Sequence, residues 1–247
     1  VTAETAGFGE QALNRIAEIA LASKLKQVER LEVQIKTDLS KLAHGEVESV
    51  AIAINGLLIE QDLILEELQL LINRVTVKPL SAILGKIKLT HPSTGIIRAV
   101  FNQDDLTRAF NSESFQKHLH QMHRSVENKR ENHHFQQVKC HLLANGNIAF
   151  NAKLILGKTG QTESVAFTAT PEIGTDGRGI FLNNLHYLDG EELAPELIAA
   201  LIAQVSEVLS LRNFEQNGMS LRIQQLDFAA GKLTVQAATD IQQFPSS

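Results

Sequence analysis

Leu31-Glu32-Val33-Gln34-Ile35-Lys36 alternates apolar and polar residues with a period of two, the pattern of a strand that has one dry face and one wet face. The rule recurs at Val50, Ile52 and Ile54, separated by Ala51 and Ala53, and again at Leu68, Leu70 and Ile72, with Glu67, Gln69 and Asn73 in the other phase. At Arg74 the phase slips, and Val75 and Val77 now carry the apolar positions, which predicts a bulge or bend in a long, curved strand. Three such segments in succession specify a sheet. If that sheet is strongly curved, it must wrap around something.

Two helical segments are the candidates for what it wraps. From Glu10 to Lys26 the residues Leu13, Ile16, Ala17, Ile19, Ala20, Leu21 and Leu25 recur at helical spacing, with Asn14, Arg15 and Glu18 opposite them. From Glu191 to Asn213 the run Leu197-Ile198-Ala199-Ala200-Leu201-Ile202-Ala203 is apolar on every side, and Val205, Val208, Leu209 and Leu211 extend it. A helix of that kind needs cover all round. Its apolar run is far short of the roughly 20 residues that cross a bilayer, so the cover is protein, or protein with an apolar ligand. Asp189 and Glu192 offer this helix a capping box.

The connections follow from turn chemistry. A turn is expected at Asn55-Gly56, Pro79 ends a strand, and His91 to Gly95 is a turn before a strand at Ile96 to Phe101. Asn102 caps the next helix, with Asp105 reaching back in a capping box and Leu106, Ala109 and Phe110 facing inward. Phe115, Leu119, Met122 and Val126 mark a further helical segment, and residues 127–134 form a charged connection between the two halves. Ala144-Asn145-Gly146 joins two strands as a hairpin, because Asn and Gly both accept positive φ. Strands follow at Ser164 to Thr170, stopped by Pro171, and at Gly179 to Tyr187, then at Met219 to Phe228 and Leu233 to Ala237. A helix followed by strands thus occurs twice. The expectation is one domain over residues 1–247, with residues 1–9 frayed.

Composition narrows the function classes. A chain of 247 residues that is 43% hydrophobic buries a full core. A net charge of -5 with no long basic run argues against a nucleic-acid partner. Cys140 is the sole cysteine, which excludes an internal disulfide. No targeting signal or transmembrane segment is visible, so the expected setting is soluble or peripheral to a membrane. No G-x-S-x-G elbow, Walker loop or dinucleotide fingerprint occurs, and the expectation is no enzyme, no cofactor and no metal. Gly174 to Gly179 is rich in glycine, but it joins two strands and reads as a turn. Six histidines fall between His118 and His141; His118, His120 and His123 lack the spacing of four that helical metal pairs use. A solvated face is the leading account of them, ahead of adventitious metal binding or a pH-dependent membrane contact.

The runs Leu31 to Leu39, His44 to Val50, Leu63 to Val77 and Phe101-Asn102-Gln103-Asp104-Asp105-Leu106-Thr107-Arg108-Ala109-Phe110-Asn111 resemble the LmeA-like phospholipid-binding family, most closely its cyanobacterial branch. The resemblance extends over most of the chain, including the hairpin from Met219 to Ala237, and rests on strand register and connecting motifs instead of catalytic residues. It implies an α+β fold related to the tubular lipid-binding (TULIP) architecture, a strongly curved antiparallel sheet wrapped around long apolar helices. It also implies a non-catalytic protein that binds or carries phospholipid or another apolar lipid in a groove and touches a membrane surface transiently. The expected lining is Ile16, Ile19 and Ala20 on the first helix, Ile198, Leu201, Ile202, Val205 and Leu209 on the second, and Ile52, Ile54, Leu70 and Ile72 on the sheet. The alternative is a structural or protein-interaction module with a filled core, acting in membrane or envelope maintenance.

Overall fold

In the computed structural model, which describes residues 8–59, 63–77, 89–113, 115, 117, 134–155, 160–190, 202, 205–206, 218–229 and 231–242, the alternating stretches form strands. Arg30–Lys36 is β1, Glu46–Leu58 is β2, Ile64–Thr76 is β3 and Ser93–Asn102 is β4. His134–Leu142 (β5), Ile148–Ile155 (β6), Thr162–Ile173 (β7) and Ile180–Gly190 (β8) follow, then Met219–Ala229 (β9) and Lys232–Ile241 (β10). Three helices are described: Phe8–Ala22 (α1), Leu39–Ala43 (α2) and Gln103–Phe110 (α3). The strands make two antiparallel sheets, one of six in the order β1-β2-β3-β4-β10-β9 and one of four in the order β5-β6-β7-β8.

A single core cluster draws on both sheets. Ile54, Leu65, Ile97, Ala99, Phe101, Leu233 and Val235 of the larger sheet belong to it together with Val138, Cys140, Phe150, Val165, Phe167 and Ile180 of the smaller one. Aromatic rings fill it. Phe150 stacks on Phe167 at a centroid distance of 5.2 Å, and Phe110 tilts against Phe115 at 5.2 Å and against Phe150 at 5.7 Å. Such pairs contribute beyond the area they bury, because ring edges meet ring faces or offset faces.

The expected strongly curved sheet around long apolar helices is overturned. Among the described residues the chain is mostly β, its helices are short, and the longest of them, α1, has 15 residues. The larger sheet is not strongly curled, and its dry face is covered by the smaller sheet and α3 instead. No side chain from Glu10 to Ala22 is buried, so α1 is not a wrapped core helix. The expected helix from Glu191 to Asn213 falls almost wholly outside the described residues. Asp189, its expected cap, lies in β8, which runs on to Gly190.

Several local expectations hold and others shift. Arg74 has φ 52°, and Ile72 and Val75, three apart, are both buried, so the phase slip is a real kink. Gly56, with φ 62°, is not a turn; β2 continues to Leu58, and the hairpin closes where the Ile59 N–H donates to the Leu63 carbonyl at 2.9 Å. Pro171 does not stop β7. It pairs with Leu182 of β8 beyond Ala169, the last β7 residue paired to β6, so the N–H it lacks is not needed by that neighbour. Asn102 caps α3 by accepting from the Asp104 N–H at 2.9 Å, whereas Asp105 pairs with Arg108 at 2.8 Å instead of reaching back. The Asn145-Gly146 hairpin forms, with Gly146 at φ 88° and its N–H donating to the Leu143 carbonyl at 3.0 Å, but Asn145 does not take the expected positive φ.

Candidate functional site

The wet face of the six-stranded sheet carries the candidate site. Antiparallel register lines up Gln34, Ala51, Leu71, Ile96 and Ala238 across β1, β2, β3, β4 and β10. The next row on the same face is Glu32, Ala53, Gln69, Arg98 and Gln236. One row is largely apolar and the other largely polar. Between them the sheet forms an open concavity of about 410 Å³, lined by these residues except Ala238 and by the register pair Ile52 and Leu70. Leu71 and Ile96 are 42% and 53% exposed there, large apolar side chains left on a face that alternation assigns to water. Alanine at positions 51 and 53 keeps the floor low, because a larger side chain at either would stand in the groove.

Arg98 supplies a positive charge, and Glu32, paired with Arg30, a negative one. Arg98 Nη1 donates to Glu67 Oε2 at 2.8 Å, with both side chains half-buried, and Gln69 also donates to Glu67. A guanidinium presents five N–H donors, so this pair fixes the head group of Arg98 without exhausting its donors. The amides of Gln34, Gln69 and Gln236 line the same groove. An apolar lane beside a row of donors can take an acyl chain and the oxygens of its ester or phosphate.

Helix α1 lies along β1, whose Glu32 and Gln34 line one end of the groove. β1 is the edge strand, and its outward N–H groups are taken up by one stripe of α1: Glu10 accepts from Thr37 at 3.3 Å, Asn14 from Ile35 at 2.8 Å and Glu18 from Val33 at 3.2 Å. Four helical residues rise about 6 Å, and two strand residues span about 6.8 Å. The two ladders therefore nearly match, with Asn14 best seated and the ends slightly stretched. Glu18 also holds Arg15 at 3.1 Å.

The expected lining residues divide among four places. Ile52 and Leu70 line the groove and also pack against the main core. Ile54 and Val205 lie in the main core, Ile202 packs against it, and Ile72 sits in a smaller cluster with Val75 and Ile241. Ile16, Ile19 and Ala20 are exposed on α1. Ile198, Leu201 and Leu209 lie outside the described residues. The structure thus does not gather the described members of this set into one lining. Leu71 and Ile96 were missed although a signal existed: each is an apolar residue in the wet phase of its strand, next to the dry-phase residues Leu70, Ile72 and Ile97.

Cys140 is buried in β5, and burial pushes its thiol up to about 12, so it is no nucleophile near neutral pH. The Gly174 to Gly179 segment is a turn; the Gly177 carbonyl accepts from the Ile223 N–H of β9 at 2.7 Å and ties the two sheets together. Among the described residues no cluster of His, Cys, Asp and Glu could hold a metal, and no helix is long and apolar enough to cross a membrane. His118, His120, His123 and His133 lie outside those residues.

Comparison with curated proteins and with solved structures finds no match. The family model for LmeA-like phospholipid binding matches residues 5–238, nearly the whole chain, and the protein belongs to that family.

Proposed function

We propose that the protein binds phospholipid non-covalently on the wet face of its six-stranded sheet, with an acyl chain along Ala51, Leu71 and Ile96 and polar head-group oxygens toward Arg98 and the glutamine row. The observation that carries this reading is the pairing of an apolar row with a donor-bearing row inside one open concavity of about 410 Å³, within the range of small-molecule sites. The region between the sheets is filled by Phe110, Phe115, Phe150 and Phe167, which favours binding at a surface over engulfment in the interior. Carriage between membranes and the absence of covalent chemistry belong to this proposal.

The test is native mass spectrometry of the purified protein with extraction and identification of any bound lipid. The expected result is one phospholipid per chain, lost in Leu71→Glu, which adds a charge to the lane at an exposed position. Retention of lipid by a folded Leu71→Glu variant refutes the groove. The same filled core with exposed apolar positions also supports a second reading, an interaction module that binds a membrane-associated protein. A wild-type chain that neither carries lipid nor takes it from vesicles favours that reading.

A further inference from the structure

We infer that α1 is the element that docks this protein on an anionic phospholipid bilayer, inserting Ile16 and Ile19. The inference rests on the lipid-binding reading for the choice of a bilayer as partner, and on the orientation of α1 for the rest. The stripe Glu10, Asn14 and Glu18 faces β1 and is held there by three hydrogen bonds. Ile16 and Ile19 lie on the opposite side, 65% and 60% exposed, with the exposed small residues Ala12 and Ser23 in line with them. The usual arrangement of an amphipathic helix is thereby inverted: polar residues hold it to the fold and apolar residues face out.

A comparison within the same molecule sharpens the point. Helix α3 clasps β5, the edge strand of the other sheet, with an equally spaced stripe: Gln103 accepts from Leu142 at 3.4 Å, Thr107 from Cys140 at 3.0 Å and Asn111 from Val138 at 3.0 Å. There the apolar residues Leu106, Ala109 and Phe110 are fully buried. The clasp itself therefore does not force an apolar side outward. In α1 the outward isoleucines are additional to the half-buried Leu13, Ala17 and Leu21.

Charge and area select the partner. Between Gln11 and Gln27 the charged residues are Arg15, Lys24 and Lys26, all exposed, and Glu18, which is committed to β1 and Arg15. Exposed Lys24 and Lys26, on the segment that follows α1, suit anionic head groups, whose surface potential attracts nearby Lys and Arg. One face of a helix this long is about 22 Å by about 10 Å, far below the roughly 800 Å² per partner of a stable protein interface. Shallow insertion of two isoleucines with these lysines nearby is enough for reversible binding to a bilayer. Docked this way, α1 lies between the head-group layer and β1, with Leu71 and Ile96 two and three strands further into the sheet.

The experiment is flotation with vesicles of phosphatidylglycerol and phosphatidylcholine, comparing wild type with Ile16→Gln/Ile19→Gln and Ile16→Phe/Ile19→Phe. Both positions are exposed and Gln is a good helix former, so the fold is retained, checked by circular dichroism. The glutamine pair should weaken partitioning at least about tenfold, equivalent to about 1.4 kcal/mol, and the phenylalanine pair should strengthen it. Lipid carried by the purified glutamine variant should be unchanged. Vesicle binding that ignores both pairs overturns the docking role while leaving the groove reading intact. Wild-type protein that purifies without lipid, while its vesicle binding still weakens with the glutamine pair and strengthens with the phenylalanine pair, sinks the groove reading alone and upholds the docking role. Self-association without lipid that the glutamine pair abolishes, with vesicle binding unaffected, assigns the face to a second copy of the chain and also overturns the inference.

Discussion

Replacing Asn14 by Leu tests the physical basis of the α1 arrangement. Asn14 Oδ1 accepts from the Ile35 N–H at 2.8 Å, the shortest of the three clasp bonds, and Ile35 is half-buried. Leucine is close in size and a better helix former, so the change removes the acceptor with little effect on the helix. A hydrogen bond of this kind contributes about 0.5–1.5 kcal/mol net, and leaving the donor without a partner raises the loss to about 1–3 kcal/mol. Exposed α1 gains a few tenths of a kcal/mol from the propensity of Leu over Asn. The expected net loss is about 1 kcal/mol, concentrated at the edge of β1. Amide hydrogen exchange reads it directly. The Ile35 amide should exchange about five- to tenfold faster, Val33 and Thr37 should follow to a smaller degree as α1 loosens, and Gln34 should barely change because its N–H points into β2. Glu18→Gln is the control, since an amide oxygen still accepts from Val33. Unchanged protection of Ile35 in a helical Asn14→Leu protein would refute the clasp, and with it the argument that α1 turns its polar side inward.

Two further outcomes follow from the packing. Gly95→Ala places a Cβ 2.7 Å from the Leu71 carbonyl oxygen and 3.1 Å from Thr239 Cγ2; overpacking against backbone should cost about 1–3 kcal/mol, read as a lower urea midpoint, and equal or greater stability contradicts it. The Cys140 thiol, pushed up to about 12 by burial, should react slowly with a thiol reagent at pH 8 in the native protein and stoichiometrically in urea. Because the folded value lies above the ordinary 9.0, the native state holds this proton longer than the unfolded chain. Its contribution to stability is therefore complete below pH 9 and is lost as pH rises toward about 12. Rapid native labelling with a midpoint near pH 9 would show that the thiol is not buried.

Alternation made the strands legible, since residues such as Val33, Ile54 and Ile72 announce a dry face by period alone, and the Arg74 slip showed where the face turns. The Asn145-Gly146 hairpin and the Asn102 cap were legible because each depends on neighbours in sequence. The partition into two sheets was not, because β10 joins β4 across more than a hundred residues and no local pattern encodes such a partner. The groove was hidden for a different reason: a site on the wet face uses residues that a core-directed reading discards, and Leu71 beside Leu70 reads as surplus hydrophobicity until register places it next to Ile96.

Helix α1 shows the limit of periodicity most sharply. Helical spacing reports how wide an apolar face is, and the width from Leu13 to Leu25 suggested a helix enclosed by the sheet. It does not report which side is docked. That is decided by the near match between four residues of helix and two of strand, which lets Glu10, Asn14 and Glu18 satisfy an otherwise open edge. The same spacing, i, i+4 and i+8 in polar residues, recurs at Gln103, Thr107 and Asn111 opposite β5. Two edges of two sheets are thus closed by one device, and the likeness of α1 to α3 lies in these polar stripes and not in the apolar positions. Since the device fixes each helix by its polar side, the apolar side is left to be set by whatever adjoins it. For α3 that is the phenylalanine core. For α1 nothing in the described fold covers Ile16 and Ile19, and that open face is the one the docking inference assigns to a bilayer.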